Sequence, residues 1–97
     1  MKAHVYCEGN QCFVTGNLDF STVETLWKES LPLLAPLCEI TFDLSKVTSA
    51  NSAGITLLIE WLKYANREKK AISFANIPAS MMSLAAISGI DKFIALG

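Results

Sequence analysis

The sequence has little charge, few cysteines and a single histidine. Charged residues make up 18% of the 97 residues, and the formal net charge is -1. The basic residues are scattered, so the sequence shows no positive surface of the kind that binds nucleic acid. The 3 cysteines include no C-x-x-C pair, which argues against a disulfide framework or a zinc site and favours reduced thiols.

The motifs of common enzyme classes are also missing. The sequence contains no phosphate-binding loop, no dinucleotide fingerprint and no H-E-x-x-H. An isolated histidine such as His4 is typical of a strand edge rather than of a general base. We therefore expect no catalysis, no cofactor and no metal. No segment approaches the ~18 apolar residues of a membrane span. At the N-terminus, charged residues interrupt the sequence before an apolar run of signal-peptide length can form, so we expect a cytoplasmic protein.

Hydrophobic residues make up 52% of the sequence, which is enough for a buried core. We expect one α/β domain over residues 1–97, with a mixed, mostly parallel β-sheet and helices packed against it. A capping-box spacing, Ser21 followed by Glu24, predicts the start of the first helix, and Pro32 is expected to kink or end it. The predicted strands lie at residues 4–7, 12–15, 38–44, within 69–78 and at 91–96, and the predicted helices at 21–34, 52–68 and 79–88.

The strongest candidate for a functional residue is Ser52, in the stretch "FDLSKVTSANSAGITLLIEWL", residues 42–62. The second helix begins here, and Asn51 or Ser52 is a natural N-cap for its first backbone N–H groups. The same helix end would also favour a phosphate on Ser52. Asp43 is predicted to close the preceding strand and Asp19 to lie in a loop. Both are interpreted as loop support near strand ends, where ligands of open α/β sheets gather.

The second helix has two apolar sides. One side has the spacing of a core face; its residues are Ile55, Leu58, Ile59, Leu62 and Ala65. A second flank consists of Leu57, Trp61 and Tyr64. It is either covered by a neighbouring helix or free to bind a partner, because Trp and Tyr are common anchors of protein interfaces. We expect this flank to form a docking surface together with Ser52.

Residues 42–62 resemble the signature of STAS domains, in which a strand ending in D-L-S leads to D-[ST]-[SG]-G and a helix. Gly54 occupies the glycine position of that signature, and "GNLD" at residues 16–19 is similar to a second family turn. The resemblance implies the STAS fold. In anti-sigma factor antagonists of this family, the residue aligned with Ser52 is phosphorylated. Here Asn51 replaces the usual Asp and Ala53 replaces Ser or Gly, which favours Ser52 as an unmodified contact residue.

The sequence is also similar to the stand-alone STAS subunit of the Mla phospholipid ABC transporter, which maintains outer-membrane lipid asymmetry. This similarity implies a non-catalytic subunit that binds the cytoplasmic ATPase of the transporter and reaches the inner membrane only through that partner. The alternatives are an anti-sigma factor antagonist switched by phosphorylation of Ser52, and a small-ligand or nucleotide-binding enzyme that uses Asp19 and Asp43. The enzyme is the weakest because the sequence lacks a phosphate loop and a base.

Overall fold

The computed structural model describes residues 3–88, and the side chains of residues 3–83. Strands and helices alternate after an initial hairpin. The strands are β1 His4–Glu8, β2 Gln11–Leu18, β3 Glu39–Ala50 and β4 Ala71–Ala75; the helices are α1 Val23–Leu34, α2 Ser52–Arg67 and α3 Ala79–Ser88. The strand predicted at residues 91–96 lies outside the described residues. Within the described range, no helix is long and apolar enough to cross a bilayer.

The strands form one sheet in the order β1-β2-β3-β4. β1 and β2 are antiparallel, whereas β2 with β3 and β3 with β4 are parallel. The prediction of a mixed, mostly parallel α/β sheet is therefore confirmed. The hairpin turn contains Gly9 with φ of 61°, a backbone conformation that glycine adopts without the steric cost of a side chain.

The core lies between the helices and one face of the sheet. The register aligns Cys7, Cys12, Phe42 and Phe74 in one row across the strands. Phe42 stacks against Trp61 of α2, with ring centroids 4.0 Å apart. Apolar side chains of α1 and α3, among them Leu26, Leu34 and Met81, join the same cluster. The opposite face of the sheet carries mostly half-buried or exposed side chains.

The start of α1 differs from the prediction. The helix begins at Val23 and its N-cap, Thr22, makes no side-chain capping hydrogen bond. The predicted capping box does not form because the Ser21 hydroxyl donates instead to Asp19 Oδ1, at 2.6 Å. Pro32 lies inside the helix and does not end it. Lys70 Nζ donates to the carbonyl oxygens of Ala35 and Leu37 just beyond the helix, at 3.0 and 2.6 Å.

The predicted end of the third strand was also wrong. β3 continues past Leu44 to Ala50, so Asp43 lies inside the strand instead of closing it. The extension is polar and mostly exposed because pairing with β4 ends at Asp43, and of the strands within residues 3–88 only β2 continues beside β3. A polar strand segment with one neighbour has the composition of a loop, which explains the error.

The expectation of reduced cysteines is likewise corrected for one pair. A disulfide joins Cys7 and Cys12. These residues are directly opposite each other in the β1–β2 hairpin, a placement that brings two side chains on the same face close together. Their separation of 5 residues is the length of a tight hairpin, which a search for C-x-x-C pairs overlooks. Cys38 is free and exposed.

Candidate functional site

Two chain connections meet at the end of the sheet where β2 and β3 finish. Leu18 is in register with Ala50, at the last positions of the two parallel strands. The backbone N–H of Asn51 donates to the carbonyl oxygen of Leu18 at 3.0 Å, which ties the loops together. The β2–α1 loop and the first turn of α2 therefore occupy one end of the molecule, where ligand sites of parallel sheets gather.

Asn51 is the N-cap of α2. Its backbone is extended, with φ of -114°, and its side-chain Oδ1 accepts a hydrogen bond from the backbone N–H of Ala53 at 2.8 Å. Its carbonyl oxygen accepts another from Gly54, at 3.0 Å. An asparagine oxygen can therefore cap the helix without a negative charge. Ser52 follows as the first residue of the helix, and its side chain is exposed.

Gly54 lets α2 approach the strand ends. A Cβ atom at this position would lie 3.0 Å from Leu18 Cβ and 3.2 Å from Ala50 Cβ. Because both distances are shorter than a relaxed carbon–carbon contact of ~3.5 Å or more, a larger residue would push the first turn of α2 away from the sheet. Gly54 thus sets the position of Ser52. The surroundings of Gly54 give no sign that Gly54 itself contacts a partner.

Hydroxyl and amide groups line the rim of this end. Asn17 Oδ1 accepts hydrogen bonds from Thr48 Oγ1 at 2.6 Å and from Ser49 Oγ at 2.9 Å. Asp19 holds the turn before α1, because its carboxylate accepts the Ser21 hydroxyl and backbone N–H. These hydrogen bonds, the one from the Ser21 side chain first, lower the pKa of Asp19. Asp19 therefore remains ionised while it supports its own loop.

Asp43 does not belong to this site. It lies seven positions before the end of β3, about 20 Å along an extended strand. It is buried, and it accepts hydrogen bonds from the backbone N–H of Ser45 at 2.8 Å and from Asn76 Nδ2 at 3.3 Å. These contacts fix the end of the β3–β4 pairing, so Asp43 supports the sheet rather than the Ser52 loop.

The proposed docking flank of α2 is not exposed. Leu57, Trp61 and Tyr64 are only 3%, 0% and 8% accessible. The Trp61 indole N–H donates to Ser30 Oγ of α1 at 2.9 Å, and the Tyr64 ring meets Trp27 edge to face with centroids 6.1 Å apart. The expectation of a free flank was wrong because α1 packs against it. A helical wheel of α2 alone does not include this neighbour.

The exposed apolar surface lies instead on α1 and the loop before it. Phe20 is 75% exposed, the most exposed large hydrophobic residue described. In the chain, Phe20 comes just before the residues of α1 that line a shallow groove of about 220 Å³ between α1 and α2. We call it the α1/α2 groove; its lining residues are Val23, Glu24, Trp27, Thr56, Leu57 and Glu60. Sequence reasoning missed this surface. Phe20 precedes α1, so no helical periodicity marks it, and only Val23 and Trp27 lie one turn apart on the helix.

The groove is continuous with the Ser52 end of α2. Thr56, which lines it, donates from Oγ1 to the Ser52 carbonyl oxygen at 3.2 Å. The site therefore combines an exposed aromatic ring, a shallow groove whose lining includes Glu24 and Glu60, and a rim of hydroxyl and amide groups beside the ionised Asp19. Among residues 3–83, no three His, Cys, Asp or Glu side chains are grouped so that they could hold a metal ion. Such a surface suits contact with another protein.

Comparisons with known proteins identify the family and the fold. The family model described as "Mlab, STAS domain" matches residues 11–96. No curated protein sequence matches the chain significantly.

Several solved structures share the fold. The anti-sigma factor antagonist SpoIIAA in its unphosphorylated form has a TM-score of 0.64 and 13% identity, over 84% of this chain and 79% of that chain. An anti-sigma factor antagonist from Mycobacterium paratuberculosis has a TM-score of 0.66 and 23% identity, over 95% and 80% of the two chains. A structure named Mglu has a TM-score of 0.61 and 18% identity, over 78% of this chain but 19% of that one.

Proposed function

The chain belongs to the STAS domain family described as Mlab, and from this premise we propose that it is a non-catalytic subunit that binds a partner protein. STAS domains are generally protein-interaction modules. The partner-binding surface consists of Ser52, Phe20 and the α1/α2 groove. Asn51 and Gly54 hold Ser52 in place and are not primary contacts.

The exposure of Phe20 is the observation that carries this proposal. A phenylalanine that is 75% exposed leaves a large apolar ring in water, and the burial of aromatic rings contributes strongly to the energetics of protein interfaces. Phe20 lies on the β2–α1 loop, at the same end of the sheet as Ser52. A single partner surface could therefore cover the ring, the groove and the Ser52 hydroxyl together.

The proposed partner is the cytoplasmic ATPase of a phospholipid ABC transporter that maintains outer-membrane lipid asymmetry. The description of the matching family as Mlab supports this choice, as does the similarity of the sequence to the STAS subunit of the Mla transporter. In this role the protein is cytoplasmic and reaches the inner membrane through the ATPase alone. The groove rim includes Glu24 and Glu60, so the facing surface of the ATPase is expected to offer an apolar side chain beside neutral or basic residues.

An anti-sigma factor antagonist switched by phosphorylation is the second candidate. It is favoured by the exposure of Ser52 at the first position of a helix, where backbone N–H groups and the helix dipole would stabilise a phosphate. Against it, Asn51 already caps the helix with a neutral side chain. Intact mass of the protein from its native host decides between them: a dominant species carrying one phosphate would favour the antagonist.

The binding proposal is tested by calorimetric titration of the full chain against the cognate ATPase. Phe20→Ala and Ser52→Asp should each weaken binding about tenfold or more, since the first removes an anchor and the second places a charge in the interface. Asn66→Asp is the matched control, because Asn66 is exposed at the other end of α2. Its affinity should be unchanged. If Phe20→Ala and Ser52→Asp both bind like the wild type, this surface is not the interface.

A further inference from the structure

The β1–β2 hairpin contains a cysteine pair that the partner-binding surface does not use. Cys7 and Cys12 are bonded to each other and occupy opposed positions one pair before the turn, next to the Glu8–Gln11 pair. Both side chains are on the sheet face that packs against the helices, in the same row as Phe42. We propose that this pair is a reversible thiol–disulfide couple that clamps the edge strand β1 onto β2.

The bond contributes little as a general staple of the fold. It closes a loop of only a few residues, with a sequence separation of 5, and loops this short remove less chain entropy from the unfolded state than long ones. The backbone ladder of the hairpin already closes the same loop. The bond itself joins none of the other core residues, from Val14 to Met81. The pair can therefore open and close without global unfolding.

The two cysteines differ in burial. Cys12 is fully buried, whereas Cys7 on the edge strand is only partly buried. We therefore expect a small thiolate to attack Cys7 Sγ and form a mixed disulfide there, which displaces Cys12 as a thiolate that takes up a proton. A second thiolate attacks the external sulfur of the mixed disulfide and releases Cys7. One protein disulfide and two thiols thus become one protein dithiol and one small-molecule disulfide.

The structural consequence of reduction is local. Among the described residues, β1 spans only His4–Glu8 and pairs with β2 alone, at the edge of the sheet. Without the covalent bond, this strand is held by its hydrogen bonds to β2 and by the packing of residues such as Val5 on the core and α1. A strand paired on one side opens more often than the interior strands. Reduction is therefore expected to loosen β1 and to leave β2, β3 and α2 in place.

The test uses the full chain, equilibrated without denaturant in a series of reduced and oxidised glutathione mixtures. After acid quenching and alkylation of free thiols, mass spectrometry reads each cysteine. Cys7 and Cys12 should change together from fully alkylated to fully protected within the series. Hydrogen exchange of the β1 amides should be several-fold slower at the oxidised end, with β3 unchanged. Cys38→Ser is the control and should leave the transition where it is.

Two results would overturn the proposal. One is a pair that remains a dithiol in the most oxidising mixture, or remains a disulfide in the most reducing one. The other is an equal exchange rate of the β1 amides in both states. Cys7→Ser provides a second check, because it should reproduce the fast exchange of the reduced protein under all mixtures while Cys12 stays in the core. None of these measurements involves the ATPase, so the outcome is independent of the proposed partner.

Discussion

The N-terminal residues of α2 and the core-facing residues in its middle lie in opposite environments. Asn51 and Ser52 are exposed at the end of the sheet, whereas Trp61 is fully buried between Phe42 and α1. The helix thus has an exposed end, at Asn51 and Ser52, that can bind a partner, and an anchoring body, around Trp61, that packs in the core. Substitutions in the anchoring body should change stability, and substitutions at the exposed end should change binding, so the two properties can be separated by variants of one helix.

Trp61→Ala is expected to have the largest effect on folding. It removes a ring that stacks on Phe42 and fills the centre of the core, and truncations of buried aromatic residues cost about 3 to 5 kcal/mol. Chemical denaturation followed by circular dichroism measures the loss. Because the total stability of small domains is about 5 to 15 kcal/mol, this variant should be close to unfolding.

Trp61→Phe is the matched control for that experiment. It keeps an aromatic ring in the core but loses the hydrogen bond from the indole N–H to Ser30 Oγ. The Ser30 hydroxyl still donates to the carbonyl oxygen of Trp27 at 2.7 Å, so the cost should be closer to 1 to 2 kcal/mol. A normal melt for Trp61→Ala with partner binding abolished would instead show that the tryptophan is an interface residue.

The local features of α2 were predictable from sequence, and the long-range ones were not. Asn51 as a cap and the start at Ser52 follow from residues adjacent in the chain. The burial of Trp61 depends on α1, which is 31 positions away at the Ser30 contact. Apolar periodicity identifies which residues avoid water but not how many neighbouring elements cover them.

The same limit explains the other differences. The parallel orientation of β2, β3 and β4 could be inferred because helical crossovers join these successive strands. The extension of β3 beyond Leu44 could not be inferred. Among the described strands its polar residues pair only with β2, so this segment has the composition of a loop. Phe20 gave no signal either, because a single aromatic residue in a loop has the same pattern whether it is buried or exposed. Its exposure became visible only with α1 in place.

Gly54→Ala is expected to have an intermediate effect, because Gly54 is the buried residue of the first turn that packs against the strand ends. The new Cβ would be 3.0 Å from Leu18 Cβ, and overpacking of this kind costs about 1 to 3 kcal/mol. Alanine also favours a helix by about 1 kcal/mol relative to glycine, so the net loss should be about 0 to 2 kcal/mol. Because the first turn of α2 moves, binding of the partner should weaken as well.

Gly9→Ala tests the cost of backbone conformation without the steric crowding expected at Gly54. Gly9 has φ of +61° and no atom within 4 Å of an added Cβ, so alanine there costs only the left-handed backbone, about 1 kcal/mol. It should lower stability without changing partner binding. Equal binding losses in Gly54→Ala and Gly9→Ala would show that the close approach of α2 to Leu18 does not position the interface.

Among these variants, Asp43→Asn is expected to lower the free energy of unfolding the least at neutral pH. Its effect should also depend on pH. Hydrogen bonds from Ser45, first its side chain and then its backbone N–H, and from Asn76 hold the pKa of Asp43 below its ordinary value. Since the folded pKa lies below the unfolded value of about 3.9, the carboxylate stabilises the fold above pH ~4, and this contribution is lost as the pH falls through the folded pKa. Urea denaturation of wild type and variant at several pH values should therefore give a constant difference in unfolding free energy from pH 7 to 5, which shrinks below pH 4. A difference that stays constant down to pH 3 would mean that the ionised form of Asp43 has no special role in holding β3 to β4.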